Sequence, residues 1–215
     1  EEFQSNDVST DQVKKNILYL RIDTFSENVV QDVKSELGQG NFQKGLILDL
    51  RDNPGGILSV ATDFAALFLS KGAIVSYDMA NGDGKTIQAD SPASINVPVA
   101  ILINKNTASS AEVVAGALQA RNRAVLIGAT TFGKGSVQES LKLANRSSIE
   151  ITVGRLRTPL GKFIEGTGIK PDLVASEMQS LPKAINLINA LSDILKPADQ
   201  KSFPKSTVQS SGNRG

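Results

Sequence analysis

Among its 215 residues the chain has no histidine and no cysteine, yet it groups hydroxyls, a lysine and glycine-rich turns in a pattern suited to hydrolysis. The Ser-His-Asp triad, Cys-His pairs and Cys/His zinc sites are excluded by that composition. A nucleophile must then be a hydroxyl or a carboxylate, and a lysine is the best remaining neutral-pH base for a hydroxyl. The serine pair Ser109-Ser110 lies within Asn106-Thr107-Ala108-Ser109-Ser110-Ala111-Glu112, and Lys134 stands between glycines in Thr131-Phe132-Gly133-Lys134-Gly135. A third segment, Asp49-Leu50-Arg51-Asp52-Asn53-Pro54-Gly55-Gly56, ends in two glycines whose backbone N–H groups are suitable donors for a developing oxyanion.

Each of these segments also has a plainer reading. Ser109-Ser110-Ala111-Glu112 has the S-x-x-E form of a capping box ahead of an apolar run, and a capping serine is worth about 1 kcal/mol without any catalytic role. The two readings share one corner: a serine that ends a strand and opens a helix has N–H groups and a helix dipole beside it. Gly128-Ala129-Thr130-Thr131-Phe132-Gly133-Lys134 matches the G-x-x-x-x-G-K of a phosphate-binding loop. Its eighth position, however, is Gly135 where Ser or Thr should hold magnesium, and Ser136–Leu141 is a poor helix start. Lys134 can also be a simple turn residue, and the glycines after Asp49 can merely serve a strand-to-helix turn.

The elements that must hold these residues are legible as alternating strands and helices, an α/β class. Strands are expected over 16–23, 45–51, 73–77, 85–88, 97–103, 124–128 and 149–156. Helices are expected over 27–38, 57–69, from about Ser110 to Leu118, and over 182–195 with Pro182 at the start. Residues 1–15 are expected to form a loose arm or a short leading helix, 16–176 the core, 177–196 a C-terminal helical segment and 197–215 a disordered tail. A net charge of +1 argues against nucleic acid or an anionic membrane as the main partner. No apolar run of roughly 18 residues is present to span a membrane.

Taken in order, these segments resemble the tail-specific, or C-terminal processing, serine protease family. The resemblance runs from Ile17-Leu18-Tyr19-Leu20-Arg21-Ile22 with Thr24-Phe25, through Asp49–Gly56, Thr107–Glu112 and Thr131–Gln138, to Thr158-Pro159-Leu160-Gly161-Lys162-Phe163-Ile164 and Gly168-Ile169-Lys170-Pro171-Asp172. It implies a ClpP/crotonase-like spiral ββα core with additional β-strands, and a serine endopeptidase that needs no cofactor or metal. By resemblance Ser109 is the nucleophile, Lys134 the general base and Gln138 the neutral residue that orients it. The oxyanion donors would be N–H groups of Ser110 and of the Gly55-Gly56 turn. Ser110 stands where the family usually has alanine, and Ala111 where it usually has serine, which leaves Ser110 as a rival nucleophile.

An unperturbed lysine has a pKa near ~10.4, so the base reading expects Lys134 to be buried among Phe132 and apolar neighbours. The implied partners are proteins or peptides with apolar C-terminal segments, with neither nucleotide nor nucleic acid bound. The implied setting is extracytoplasmic: bacterial periplasm or cell envelope, or thylakoid lumen. Family members usually carry a PDZ domain of roughly a hundred residues ahead of the first strand. Only sixteen residues precede Ile17, so a core without that domain is expected, with a homo-oligomer or a separate adaptor in its place. The rival function is a catalytically silent ligand- or peptide-binding module on the same fold.

Overall fold

The computed structural model describes residues 7–39, 42–79, 82–142 and 147–195. Five apolar stretches become the strands β2 (Ile17–Ile22), β3 (Gly45–Asp49), β6 (Val99–Ile103), β7 (Val125–Gly128) and β10 (Leu173–Val174), which run parallel. With β1 (Val8–Lys14) they form a six-stranded sheet in the order β1-β2-β3-β6-β7-β10. Buried parallel strands read as continuous apolar runs because both of their faces are covered. Here Leu46, Leu48, Val99, Ile101 and Leu126 face one layer, whereas Ile47, Ala100, Leu102 and Ile127 face the other.

The first layer consists of α1 (Val29–Gln39), α2 (Leu58–Ala66) and α3 (Ser110–Ala120). Phe25, Phe64 and Phe68 pack in a row there with ring centroids 5.6 and 5.3 Å apart. The second layer is α4 (Glu177–Ile194), which buries Ala184 and Ile188 against the opposite face. A separate antiparallel sheet in the order β5-β4-β9-β8 contains β4 (Gly72–Met79), β5 (Gly84–Ala89), β8 (Ser136–Lys142) and β9 (Ser148–Arg157).

Two expectations are corrected. The polar stretch before residue 15 is not an arm or a helix from Val8 onward: Val8–Lys14 is an edge strand, antiparallel to β2, with Val8 in the core. An edge strand needs few apolar residues, since one side of it faces water. Helix α4 begins at Glu177 rather than at Pro182, which stands inside it. A proline there removes one ladder hydrogen bond, and tertiary contacts hold the added turn. Arg51 Nη1 donates to the Glu177 carbonyl and the Ser180 hydroxyl, and Asn104 donates to the Glu177 carboxylate at 3.1 Å. The tail expected from 197 onward lies outside the described residues.

The end of β3 shows what the Asp-Leu-Arg triplet does. Asp49 is fully buried and accepts from the Arg51 guanidinium and, at 2.6 Å, from the Tyr19 hydroxyl. Burial, followed by the Asp49 carboxylate, pushes the Tyr19 phenol above its ordinary value of 10.0. A raised folded value for an acid means that stability is intact below the unfolded value and falls as pH rises past it. Wild-type protein is therefore expected to lose stability above pH 10.0. Tyr19→Phe should flatten that alkaline limb, as read by urea midpoints on either side of it; identical limbs would refute the coupling.

Candidate active site

Strands β3, β6 and β7 are neighbours, and the loop that follows each one leaves the same edge of the sheet. Those three loops carry, in order, Gly55-Gly56, Ser109-Ser110 and Lys134. The carboxyl edge of a parallel sheet is where helix N-termini and exposed loop amides collect, and it commonly hosts ligand sites.

Backbone and carboxamide hydrogen bonds lace the first two loops together. The Leu50 N–H donates to Leu102, the Ala108 N–H to the Asn53 carbonyl at 2.9 Å, and the Thr107 hydroxyl to the Leu50 carbonyl at 2.8 Å. Asn53, fully buried, donates its side-chain amide to Ile22 O and accepts the Gly55 N–H, both at 2.8 Å. Asp52 takes a positive φ of 61° and accepts from Asn106 and Asn104 at 2.7 and 2.9 Å, bonds that hold its carboxyl below the usual carboxylate range.

Ser109 is the turn itself. Its backbone stands at φ 55°, ψ −123°, a sparsely populated region for a residue with a side chain, and such a conformation costs about 1–3 kcal/mol unless the surroundings enforce it. The neighbouring Gly55 supplies part of that enforcement: a Cβ on it would lie 2.8 Å from Ser109 Cβ and 3.0 Å from Ser110 N, so only glycine fits at φ 110°. Ser109 is half-buried, but Ser110 is 3% exposed and donates its hydroxyl to Gly56 O at 2.8 Å. This arrangement favours Ser109 over Ser110 as the reachable hydroxyl.

The oxyanion expectation changes in one respect. The Gly55 N–H is committed to Asn53 and so is not available to a ligand. The N–H groups of Gly56 and Ser110 have no partner among the described residues. Ser110 opens α3 and Gly56 stands just ahead of Ile57, the N-cap of α2, where the helix dipoles favour negative charge.

The Thr131–Gly135 loop packs through its backbone. A Cβ on Gly133 would lie 3.0 Å from Gly168 N, and one on Gly135 would lie 2.4 Å from Glu165 N. The two glycines therefore turn inward, and the side chains between and before them, Lys134 and Phe132, turn outward. This corrects the expected burial of Lys134: it is exposed, and Phe132 is 68% exposed. Gln138 is exposed on β8 opposite Thr152, beside a register irregularity at Val137. No hydrogen bond joins the side chains of Ser109, Lys134 and Gln138 to one another in this arrangement. After Gly135 the chain enters β8, paired with β9, and not the helix that a phosphate-binding loop requires.

The group that brings the second and third loops together is Glu112, a residue the sequence presents only as a helix-capping partner. Its fully buried carboxylate accepts the Ser109 N–H at 2.9 Å, the Lys134 N–H at 2.8 Å, the Gly133 N–H at 2.7 Å and the Thr131 hydroxyl. The carboxylate half of the expected capping box is thus present, and the same group also takes three donors from another loop. A buried carboxylate without a cation persists only when hydrogen-bonded in this way. Nothing in the local sequence signals the second half of that role, because its donors lie around twenty residues downstream.

Known proteins give this geometry its context. Residues 16–175 match peptidase family S41. The chain is 38% identical over 165 residues to the carboxyl-terminal-processing protease of Synechocystis sp., covering 76% of this chain and 39% of that protein. It is 35% identical over 171 residues to the carboxy-terminal processing protease CtpA of Bacillus subtilis, covering 78% of this chain and 37% of that one. The chain thus spans about two fifths of the length of these relatives. Among solved structures, a photosystem II D1 C-terminal processing protease superposes with a TM-score of 0.70 at 28% identity, over 85% of this chain and 53% of the other. The fold is accordingly the ClpP/crotonase-like α/β type that the motifs implied.

Proposed function

The chain belongs to peptidase family S41, and on that premise we propose that it is a serine endopeptidase with Ser109 as nucleophile, Lys134 as general base and Gln138 as its neutral support. The observation that carries this reading is the single carboxylate of Glu112, which receives the N–H groups of both Ser109 and Lys134. Two residues far apart in sequence are thereby held on one anchor, with the free amides of Gly56 and Ser110 beside the hydroxyl.

In the proposed reaction Ser109 Oγ attacks the scissile carbonyl carbon, and Lys134 Nζ, as the free amine, takes the hydroxyl proton. The carbonyl oxygen becomes an oxyanion between the N–H groups of Gly56 and Ser110. Lys134 returns the proton to the departing amine, leaving an acyl-Ser109, and water activated by the same amine then releases the acid. Gln138 accepts or donates without adding charge, whereas a carboxylate there would favour the ammonium. Lys134 is exposed in this arrangement, so a bound peptide lying over Phe132 and Lys134 has to exclude water before the amine can serve.

Substrates with apolar C-terminal segments fit the exposed apolar side chains next to the catalytic positions. Ile57, directly after the oxyanion turn, is 41% exposed, and Phe132 precedes Lys134 by two residues. An extracytoplasmic setting belongs to the same reading, and fractionation that found the protein only in cytosol would count against it. No helix among the described residues is long and apolar enough to cross a membrane.

The deciding experiment is to trap the acyl-enzyme. Incubation with a fluorophosphonate, or with an activated ester of an apolar peptide, should add one label per chain, located on Ser109 by peptide mass mapping. A label on Ser110 moves the nucleophile by one residue. No label, together with peptide binding, favours the silent binding module.

A further inference from the structure

We propose that the Ser110 side chain is a positioning residue for the oxyanion hole, bracing its two donor segments against each other through one hydrogen bond to Gly56 O. This rests on the reading of Ser109 as nucleophile. The proposal begins from the residue type: by the resemblance above, a hydroxyl stands here in place of an alanine, and it is almost completely buried beside the reactive corner.

The geometry gives that hydroxyl a definite task. The Gly55-Gly56 peptide is planar, so holding its carbonyl oxygen also fixes the direction of its N–H. Gly55 O is held by the Phe25 N–H at 2.8 Å and by the Thr24 hydroxyl at 2.9 Å. These bonds aim the Gly56 N–H away from Phe25, and the Ile57 N–H, donating to Phe25 O at 2.8 Å, holds one end of the next peptide unit. A glycine at φ 133° has no side chain to limit its ψ. The Ser110 hydroxyl grips the other end of that unit, donating to Gly56 O at 2.8 Å, and so ties the turn to the start of α3.

Because the donor belongs to Ser110, the same bond sets the distance between the Gly56 turn and the residue whose N–H is the second oxyanion donor. The two amides are thus braced against each other before substrate arrives. Preorganised donors stabilise the transition state because they need no reorganisation when charge develops. A small misplacement can cost as much as 100-fold in rate. Losing the brace while keeping both donors is therefore expected to be milder than losing a donor.

The test compares wild type, Ser110→Ala and Ser110→Thr in fluorophosphonate labelling and in cleavage of a fluorogenic peptide with an apolar C-terminus. Ser110→Ala should label and turn over about tenfold more slowly, through kcat with KM unchanged. Ser110→Thr, which keeps the hydroxyl, should recover most of the rate. A peptide aldehyde, which forms a tetrahedral adduct, should lose affinity in parallel with kcat, whereas the product peptide should not. A purely structural role would move the thermal midpoint without this split. Wild-type rates in Ser110→Ala overturn the proposal and leave the Ser109 assignment standing. Absence of any label on wild-type Ser109 overturns both, and a label on Ser110 itself overturns the positioning role.

Discussion

Ser109→Ala and Lys134→Ala are each expected to lower kcat/KM by about 10³-fold or more, and the double variant to be no worse than either single one. In the proposed mechanism nucleophile and base act as a unit. Without Lys134 the Ser109 hydroxyl keeps its proton during attack, and without Ser109 the amine has no proton to take. What survives in all three variants is the pair of amides from Gly56 and Ser110 and whatever binding the apolar surface supplies. Each single loss therefore removes nearly the whole contribution of the pair. Two additive losses would mean that the residues work in separate steps. Undiminished turnover in Lys134→Ala would remove the base from the mechanism. Lys134→Arg is an informative companion, because a guanidinium keeps the charge and length but cannot be deprotonated. It is expected to be as inactive as Lys134→Ala, and activity in it would mean that charge, not proton transfer, is what the position provides. Substitution at the exposed Lys134 should leave the unfolding free energy, read from urea titration, within about 0.5 kcal/mol of wild type.

The parts of this site that a sequence discloses are those written in short-range pattern. Continuous apolar runs gave the strands around Leu48, Ile101 and Ile127, because strands of a parallel sheet are buried on both faces. The strand-turn-helix corner at Ser109 was legible from Ser109 to Glu112 in the same way. Val8–Lys14 was not, since an edge strand is specified by its partner β2 more than by its own polar residues. The direction in which Lys134 points was missed for a related reason. Its loop is packed by glycines against Gly166–Gly168 and Glu165, and those contacts, thirty residues away, decide which side of an extended loop faces water. The Gly55 amide appeared as good a donor as that of Gly56 until Asn53 was seen to take it. The side-chain amide that makes that choice has no distinguishing neighbour in sequence. The same is true of Glu112, whose local role as a cap masks its long-range one.

Glu112 should be highly sensitive to substitution although it is not one of the proposed reacting groups. Replacing it by alanine leaves buried donors from Ser109, Thr131, Gly133 and Lys134 without their acceptor. Unsatisfied buried donors cost about 1–3 kcal/mol each and are not additive, so Glu112→Ala is expected to lose about 3–5 kcal/mol. Such a loss alone would hide any catalytic effect, and the isosteric Glu112→Gln separates the two. One carboxylate oxygen serves Thr131 and Gly133, the other Ser109 and Lys134. A carboxamide can satisfy one pair only and turns its own N–H groups toward the other. Glu112→Gln should fold with about 2 kcal/mol less stability and still lose far more activity than that destabilisation explains at temperatures where it is fully folded. Thr131→Val is the counterpart. It removes a donor from the same carboxylate and an acceptor from the Ile169 N–H, yet leaves the amides of Ser109 and Lys134 bound. Its stability loss should be comparable, with kcat reduced much less. If Glu112→Gln matches wild type in both urea midpoint and kcat, the carboxylate is not the anchor of the two loops. If the two variants lose kcat equally, Glu112 serves stability alone, and the alignment of Ser109 with Lys134 must come from the β3 and β8 sides of the site.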